Sequence, residues 1–100
     1  EFKPLARQNE IVIQEMGDEI LIYDLKTDQA FALNTTSSMV WQFCDGKNSI
    51  AEIAAKMSAL TGEIISEDII WLALDGLKKQ KLIENEIETP FTGISRRELV

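Results

Sequence analysis

The hydrophobic and polar positions of this chain follow a strand-like pattern up to Leu33 and a helix-like pattern after it. Up to that point, short segments rich in β-branched and aromatic residues are separated by turns of two and three residues. Such segments are typical of strands, and turns this short force neighbouring strands to run antiparallel. The sequence therefore predicts a meander in the order 1-2-3, with the third strand at an edge, over residues 11–16, 19–25 and 29–33.

After Leu33, apolar residues recur at three- and four-residue spacing, which is the pattern of an amphipathic helix. Helices are predicted over residues 36–44, over residues 49–60, and from residue 66 onward. A small sheet followed by packed helices is an α+β arrangement. The predicted fold class is therefore α+β, winged-helix-like, with a three-stranded antiparallel β-meander followed by a three-helix bundle.

The hand-over from sheet to helices lies at Leu33 and Asn34. We expect Leu33 to point into the core beneath the first helix. Asn34 is expected to cap that helix or close the turn, because a side-chain oxygen at this position accepts from backbone N–H groups of the first turn. Ser49 followed three residues later by Glu52 predicts a capping box at the second helix.

The pattern divides the chain into a polar extension at residues 1–10, a domain at residues 11–84 and a tail at residues 85–100. The tail has no periodicity, and its segment Ser95-Arg96-Arg97 is similar to the twin-arginine export pattern. That pattern requires an apolar segment after it, so we expect a polar, solvated tail. The alternative is that the chain is a fragment of a protein that continues past this tail.

The charge balance restricts the class of partner. The 100 residues include 10 basic and 17 acidic side chains and no histidine, for a net charge of −7. Because binding to nucleic-acid phosphates needs clustered Lys and Arg, we expect no nucleic-acid partner. No apolar run approaches the roughly 20 residues of a membrane span, so we expect no membrane partner and a cytoplasmic location.

The side chains offer little for catalysis. Cys44 is the only cysteine, and on an apolar helix face it is expected to be a small buried hydrophobic residue. With no histidine to activate it and no Gly-rich loop after a strand, the sequence predicts no catalytic residue, no metal site and no cofactor. The chain is therefore not expected to be an enzyme.

What remains is the surface along the third strand and the third helix. An edge strand exposes unpaired backbone donors and acceptors, which are either a liability or a docking site to which an extended peptide can add as a further strand. The third helix has more apolar residues than one face can bury, and it is the expected wall of the resulting groove. The predicted peptide-binding residues are Gln29, Ala30, Phe31, Ala32, Leu33, Asn34, Ile69, Ile70, Trp71, Leu72, Ala73 and Leu74. For Trp71 and Leu72, packing in the core or against a twin subunit is the equally weighted alternative.

A set of spaced motifs adds a resemblance to this reasoning. The motifs are Leu33-Asn34, Val40-Trp41, Cys44-Asp45-Gly46 and Ile50-Ala51-Glu52-Ile53. Over about residues 11–84 the chain resembles the PqqD family, the small proteins of pyrroloquinoline quinone biosynthesis and their relatives, the precursor-peptide recognition elements. The resemblance implies a peptide chaperone that holds the leader segment of a ribosomally made precursor peptide. It also implies a modifying enzyme as partner, often a radical-SAM protein.

Two other interpretations follow from the same pattern. The first is a non-catalytic interaction or regulatory domain of winged-helix type that forms a homodimer through its edge strand or apolar helix face. The second is a DNA-binding winged helix, whose recognition helix would be the third. That helix begins Ser66-Glu67-Asp68, which places two acids where contacts to bases and phosphates are needed, so we do not expect DNA binding.

Overall fold

The structure, a computed structural model, describes residues 2–85. It contains a three-stranded antiparallel sheet in the order β1-β2-β3, followed by three helices. The strands are β1 (Ile11–Met16), β2 (Glu19–Asp24) and β3 (Gln29–Leu33). The helices are α1 (Thr35–Phe43), α2 (Ile50–Thr61) and α3 (Glu67–Lys79). The α+β, winged-helix-like fold predicted from the sequence is confirmed.

The two hairpins place alternate residues of β2 on opposite sides of the sheet, as in any strand. Ile20 and Ile22 face the helices and are buried, and they pair with Leu33 and Phe31 of β3. The opposite side of the sheet, which carries Leu21, is turned away from the helices. We call this side the outer face.

The core lies between the inner face of the sheet and the three helices. Val40 and Trp41 on α1, Met57 on α2 and Leu77 on α3 are among its buried members. The indole N–H of Trp41 donates to the carbonyl of Leu82 at 3.1 Å, so this large residue is buried without an unsatisfied donor.

Local signals position the helix starts. The side chain of Asn34 accepts from the backbone N–H of Ser37 at 2.8 Å and caps α1, as predicted. The predicted capping box is also present, because the Glu52 carboxylate accepts from the Ser49 N–H at 2.8 Å and the Ser49 hydroxyl accepts from the Glu52 N–H at 3.2 Å. Gly62 ends α2 in the left-handed conformation, with φ of 74°.

The segment before β1 packs onto the domain, although the sequence placed it in a polar extension. Pro4 and Ala6 are buried. The N–H of Ala6 donates to the carbonyl of Cys44 at 2.7 Å, and the N–H of Arg7 donates to the carbonyl of Leu82 at 2.9 Å. The segment therefore ties the end of α1 to the chain that leaves α3. The domain boundaries predicted at residues 11 and 84 stay predictions, and the tail from residue 86 onward lies outside the described residues.

One buried ion pair holds this segment to the sheet. Both terminal nitrogens of Arg7 donate to the carboxylate of Asp24, at 2.8 and 3.0 Å, and Asp24 is 1% exposed. The same carboxylate accepts from the backbone N–H groups of Lys26 and Thr27 in the following turn. Because every oxygen has partners, the charge is buried without being left unpaired.

Candidate functional site

The open edge of β3 is the first component of the candidate site. Within residues 2–85, β3 pairs with β2 on one side and with no strand on the other. In an antiparallel ladder the backbone groups of successive residues point alternately to the two sides. The edge is therefore usable only at every second residue, and three hydrogen bonds show which residues these are.

Those bonds lie at the two ends of β2. The N–H of Leu25 donates toward β1, to the carbonyl of Glu10 at 2.9 Å. The N–H of Ile20 instead points toward β3, where the Ser38 hydroxyl accepts it at 3.0 Å and donates to the carbonyl of Leu33 at 3.1 Å. Even-numbered residues of β2 therefore bond toward β3, and their partners in β3 are Leu33, Phe31 and Gln29.

It follows that Ala30 and Ala32 direct their N–H and C=O groups away from β2. Two residues with one donor and one acceptor each give a short edge with four backbone groups. Their side chains are methyl groups on the outer face, since the alternate residues Phe31 and Leu33 turn inward to the core. The open edge is thus short and regular, and no strand of residues 2–85 pairs with it.

The second component is a groove of about 390 Å³ between β3, the start of α1 and α3. The groove is lined by Ala32, Leu33, Asn34, Thr36, Ser37, Ile69, Leu72, Ala73, Gly76, Leu77 and Gln80. None of these lining residues carries a formal charge. Its polar groups lie on α1 and at the end of α3, and its apolar groups lie along α3.

The α3 wall of the groove follows from helical spacing. The stripe that faces the core contains Ile70, Leu74 and Leu77, all buried. Beside it runs a second stripe at three- and four-residue spacing, which includes Ile69 and Leu72. These two side chains are 38% and 63% exposed, so they present apolar surface to the groove instead of to the core.

Gly76 leaves open space in the groove beside α3. Apart from its chain neighbours and the nearby backbone of α3 itself, a Cβ placed there would meet no described atom within 4 Å. Its φ is not in the left-handed region, so the backbone does not require glycine at this position. The missing side chain therefore leaves open volume in the groove without a conformational reason for it.

The structure brings part of the predicted site together at the groove. The predicted residues that line it are Ala32, Leu33, Asn34, Ile69, Leu72 and Ala73. The predicted residues Gln29, Ala30 and Phe31 lie on β3 but do not line it. Ile70 and Leu74 are buried in the core. The assignment of all these residues to peptide binding stays a prediction.

Trp71 lies elsewhere on α3. Its ring stacks on that of Phe2, with centroids 6.0 Å apart and planes inclined by 14°, and it is not among the residues that line the groove. Phe2 precedes the predicted domain, so a contact of this kind carries no local sequence signal. Of the two flanking apolar residues on α3, Leu72 faces the groove and Trp71 packs against the N-terminal segment.

Sequence reasoning missed several lining residues: Thr36, Ser37, Gly76, Leu77 and Gln80. Extending the stripe of Ile69 and Leu72 by one further turn would have reached Gly76, and a second turn would have reached Gln80. Thr36 and Ser37 carried no comparable signal, because their role depends on how α1 packs beside β3.

A second hollow, of about 480 Å³, lies between the β1–β2 turn, α1 and the end of α2. It is lined in part by the acidic residues Glu15 and Asp18, and by none of the predicted site residues. The uncharged groove beside β3 is therefore the one that combines an apolar wall with the predicted edge.

Two buried ionisable groups, Cys44 and Asp24, have pKa values shifted away from neutral pH. Burial raises the pKa of the Cys44 thiol to about 12, and the neighbouring Asp45 carboxylate adds to this shift. The guanidinium of Arg7 holds the pKa of Asp24 well below its usual range. Among residues 2–85, no group of three or more potential ligands is placed to hold a metal ion, and no helix has the length and apolar character that crossing a membrane requires.

Comparisons with known proteins agree with this architecture. A solved structure described as TbiB1 in complex with the TbiA(beta) leader peptide superimposes with a TM-score of 0.67 and 18% sequence identity. The match covers 84% of this chain and 100% of that one. A comparison with curated protein sequences finds no match. The family model of coenzyme PQQ synthesis protein D (PqqD) matches residues 19–83. The chain belongs to the PqqD family.

Proposed function

We propose that this chain is a non-catalytic recognition element that binds the leader segment of a ribosomally made precursor peptide and presents it to a modifying enzyme. The observation that carries the proposal is the juxtaposition of an open strand edge at Ala30 and Ala32 with an uncharged groove whose α3 wall is mainly apolar. Membership of the PqqD family and the fold shared with a leader-peptide complex support it.

The two components have different tasks. The four outward backbone groups of Ala30 and Ala32 bond to an added strand and fix its register, whatever its sequence. Side chains of that strand that point inward enter the groove beside Ile69, Leu72 and Ala73. A few buried anchors carry most of the energy of such an interface. The groove therefore determines which peptide sequences bind, and the strand edge determines how the bound peptide is aligned.

The partner enzyme belongs to the same proposal. The PqqD family resemblance implies an enzyme that modifies peptides, often a radical-SAM protein. The sequence itself has no histidine and a single cysteine, so it offers few side chains for acid–base or nucleophilic catalysis. Wherever a pKa is shifted among residues 2–85, as at Cys44 and Asp24, it moves away from the neutral range in which a general acid or base works. The catalysis is therefore assigned to the partner, and the recognition to this chain.

The experiment begins from a displayed library of random 12-residue peptides selected on the folded protein. An enriched peptide is synthesised and titrated, with amide shifts followed by NMR. We expect the shifts to cluster on β3 and α3. Ala32→Pro removes one outward donor from the edge and should abolish binding, whereas a proline at an edge costs a strand little stability.

A matched proline on the opposite edge is the control. Glu15 lies in β1, where it pairs with Ile20 of β2 and directs its N–H away from β2. Glu15→Pro therefore removes the same kind of outward backbone donor at the other edge of the sheet. It should leave peptide binding unchanged. Binding that survives Ala32→Pro, or a library that enriches no peptide, would overturn the proposal. A stable dimer by light scattering, with β3 protected in the absence of peptide, would instead identify a second copy of the chain as the occupant.

A further inference from the structure

The outer face of the sheet has an unusual profile next to the open edge. Cross-strand rows on this face join Val12, Tyr23 and Ala30 in one line and Gln14, Leu21 and Ala32 in the next. The β2 residues Tyr23 and Leu21 are large, whereas the β3 residues beside them are both alanine. The surface therefore descends in a step from β2 to the edge strand.

Tyr23 extends from β2 toward the turn that leads into the edge strand. Its hydroxyl donates to the carboxylate of Asp28, which lies in the turn between β2 and β3. A ring that starts on β2 and ends at this turn is directed toward the β3 side of the face. Tyr23 is 36% exposed and Leu21 is half-buried, so both retain apolar surface above the alanines.

We infer that Leu21, Tyr23, Ala30 and Ala32, here called the outer strip, are a second recognition surface for the same added peptide strand. The inference rests on the proposed function. Neighbouring strands lie about 4.7–4.9 Å apart, so an added strand would lie roughly 10 Å from β2, and its side chains can reach β2 only across a small residue of the edge strand. Over a methyl group, a large side chain of the added strand passes the edge strand and contacts Tyr23 or Leu21 on β2.

The inference specifies the chemical class of peptide. Recognition through the groove alone would select every second residue and leave the others polar, as on a half-buried strand. Recognition on both faces selects large apolar or aromatic residues at consecutive positions. The side chains opposite Ala30 and Ala32 lie on the outer strip, and those opposite Phe31 and Leu33 point to the inner side, where Leu33 lines the groove.

The library selection described above tests this directly. We expect enriched peptides to share a run of at least three consecutive large apolar residues, not an alternation of apolar and polar ones. With one such peptide, Tyr23→Ser should weaken binding by roughly fivefold, the effect of losing one good cross-strand contact. Tyr23→Phe keeps the ring and should retain binding within about twofold of the unchanged protein.

Val12→Ser is the matched control. Val12 lies in the same cross-strand row as Tyr23 and is 51% exposed, but it is on β1, two strands away from the open edge. Its loss should change binding by less than about twofold. Ala32→Val fills the step while keeping the backbone donor, and it should weaken binding to peptides that carry a large residue opposite it.

The outcomes separate this inference from the proposed function. Alternating peptides whose binding is abolished by Ala32→Pro but unaffected by Tyr23→Ser would overturn the outer strip and leave strand addition intact. Equal losses from Tyr23→Ser and Val12→Ser would also overturn it, because the effect would then come from the sheet as a whole. Binding that survives Ala32→Pro would overturn both.

Discussion

Gly76 offers a substitution that should raise stability and lower binding at the same time. It lies within α3 and lines the groove, and beyond its chain neighbours and the nearby α3 backbone a Cβ placed there would meet no described atom within 4 Å. Nothing in its backbone conformation requires glycine. The two variants to compare are Gly76→Ala, which adds one methyl group, and Gly76→Leu, which adds a full apolar side chain to the groove.

The stability change can be estimated from helix propensity. Glycine within a helix is less favourable than alanine by about 0.5–1 kcal/mol, and leucine is close to alanine. In a domain of this size 1 kcal/mol corresponds to about 4–8 °C, so both variants should raise the melting temperature by about 2–8 °C. Binding should change in the opposite direction, by at least about tenfold for Gly76→Leu if the groove holds a side-chain anchor, and by less for Gly76→Ala.

Thermal unfolding followed by circular dichroism and titration with a library-selected peptide measure the two effects. Ala55→Leu is the control, since it adds leucine at an exposed position of α2 that does not line the groove. It should leave binding unchanged. If Gly76→Leu bound the peptide as tightly as the unchanged protein, the groove would not be where the peptide's side chains lie. A lower melting temperature for Gly76→Ala would show that α3 packs differently at this position.

Other perturbations test the fold that supports the site. Leu33→Ala should destabilise the domain by roughly 2–5 kcal/mol in urea unfolding, since its side chain is 4% exposed in the core. Asn34→Ala should cost about 1 kcal/mol in the same assay, because the cap of α1 is lost. Asp24 has a lowered pKa in the folded state, so its contribution to stability is present above its unfolded pKa of about 3.9 and is lost as the pH falls below that value. Acid titrations of unfolding should show a decline that Asp24→Asn reduces. Cys44, whose pKa is raised by burial, should react with a thiol reagent only after denaturant unfolds the protein.

Much of the fold was predictable because its signals are local. The turns between the strands follow from a few residues each, and the helix starts at Asn34 and Ser49 follow from side chains that bond to N–H groups three residues away. Every strand and helix boundary was predicted to within one residue where both ends were given. Elements specified by short-range chemistry need no knowledge of tertiary packing.

Contacts between distant parts of the chain were not predictable in this way. The amide of Asn85 bonds to the carbonyl of Lys3 at 2.9 Å across 82 positions, and Phe2 covers Trp71. A polar N-terminal sequence gives no indication that Pro4 and Ala6 are buried by such contacts. Trp71 was therefore weighed equally as a groove residue and as a packed one, and only the three-dimensional arrangement shows which residue lies against it.

Sequence patterns indicate the residues of the proposed site unequally, and the reason is physical. Hydrophobic periodicity identifies side chains that are buried, whereas a binding site for a strand depends on what is small or open. In the proposed function, Ala30 and Ala32 contribute the outward backbone groups, and Gly76 contributes open space. None of the three contributes much to an apolar stripe. Their significance appears only once the register of β2 and β3 is known, since a shift by one residue would turn the alanines inward and expose Phe31 and Leu33 instead. Register is thus the property of this sheet on which peptide recognition depends most directly.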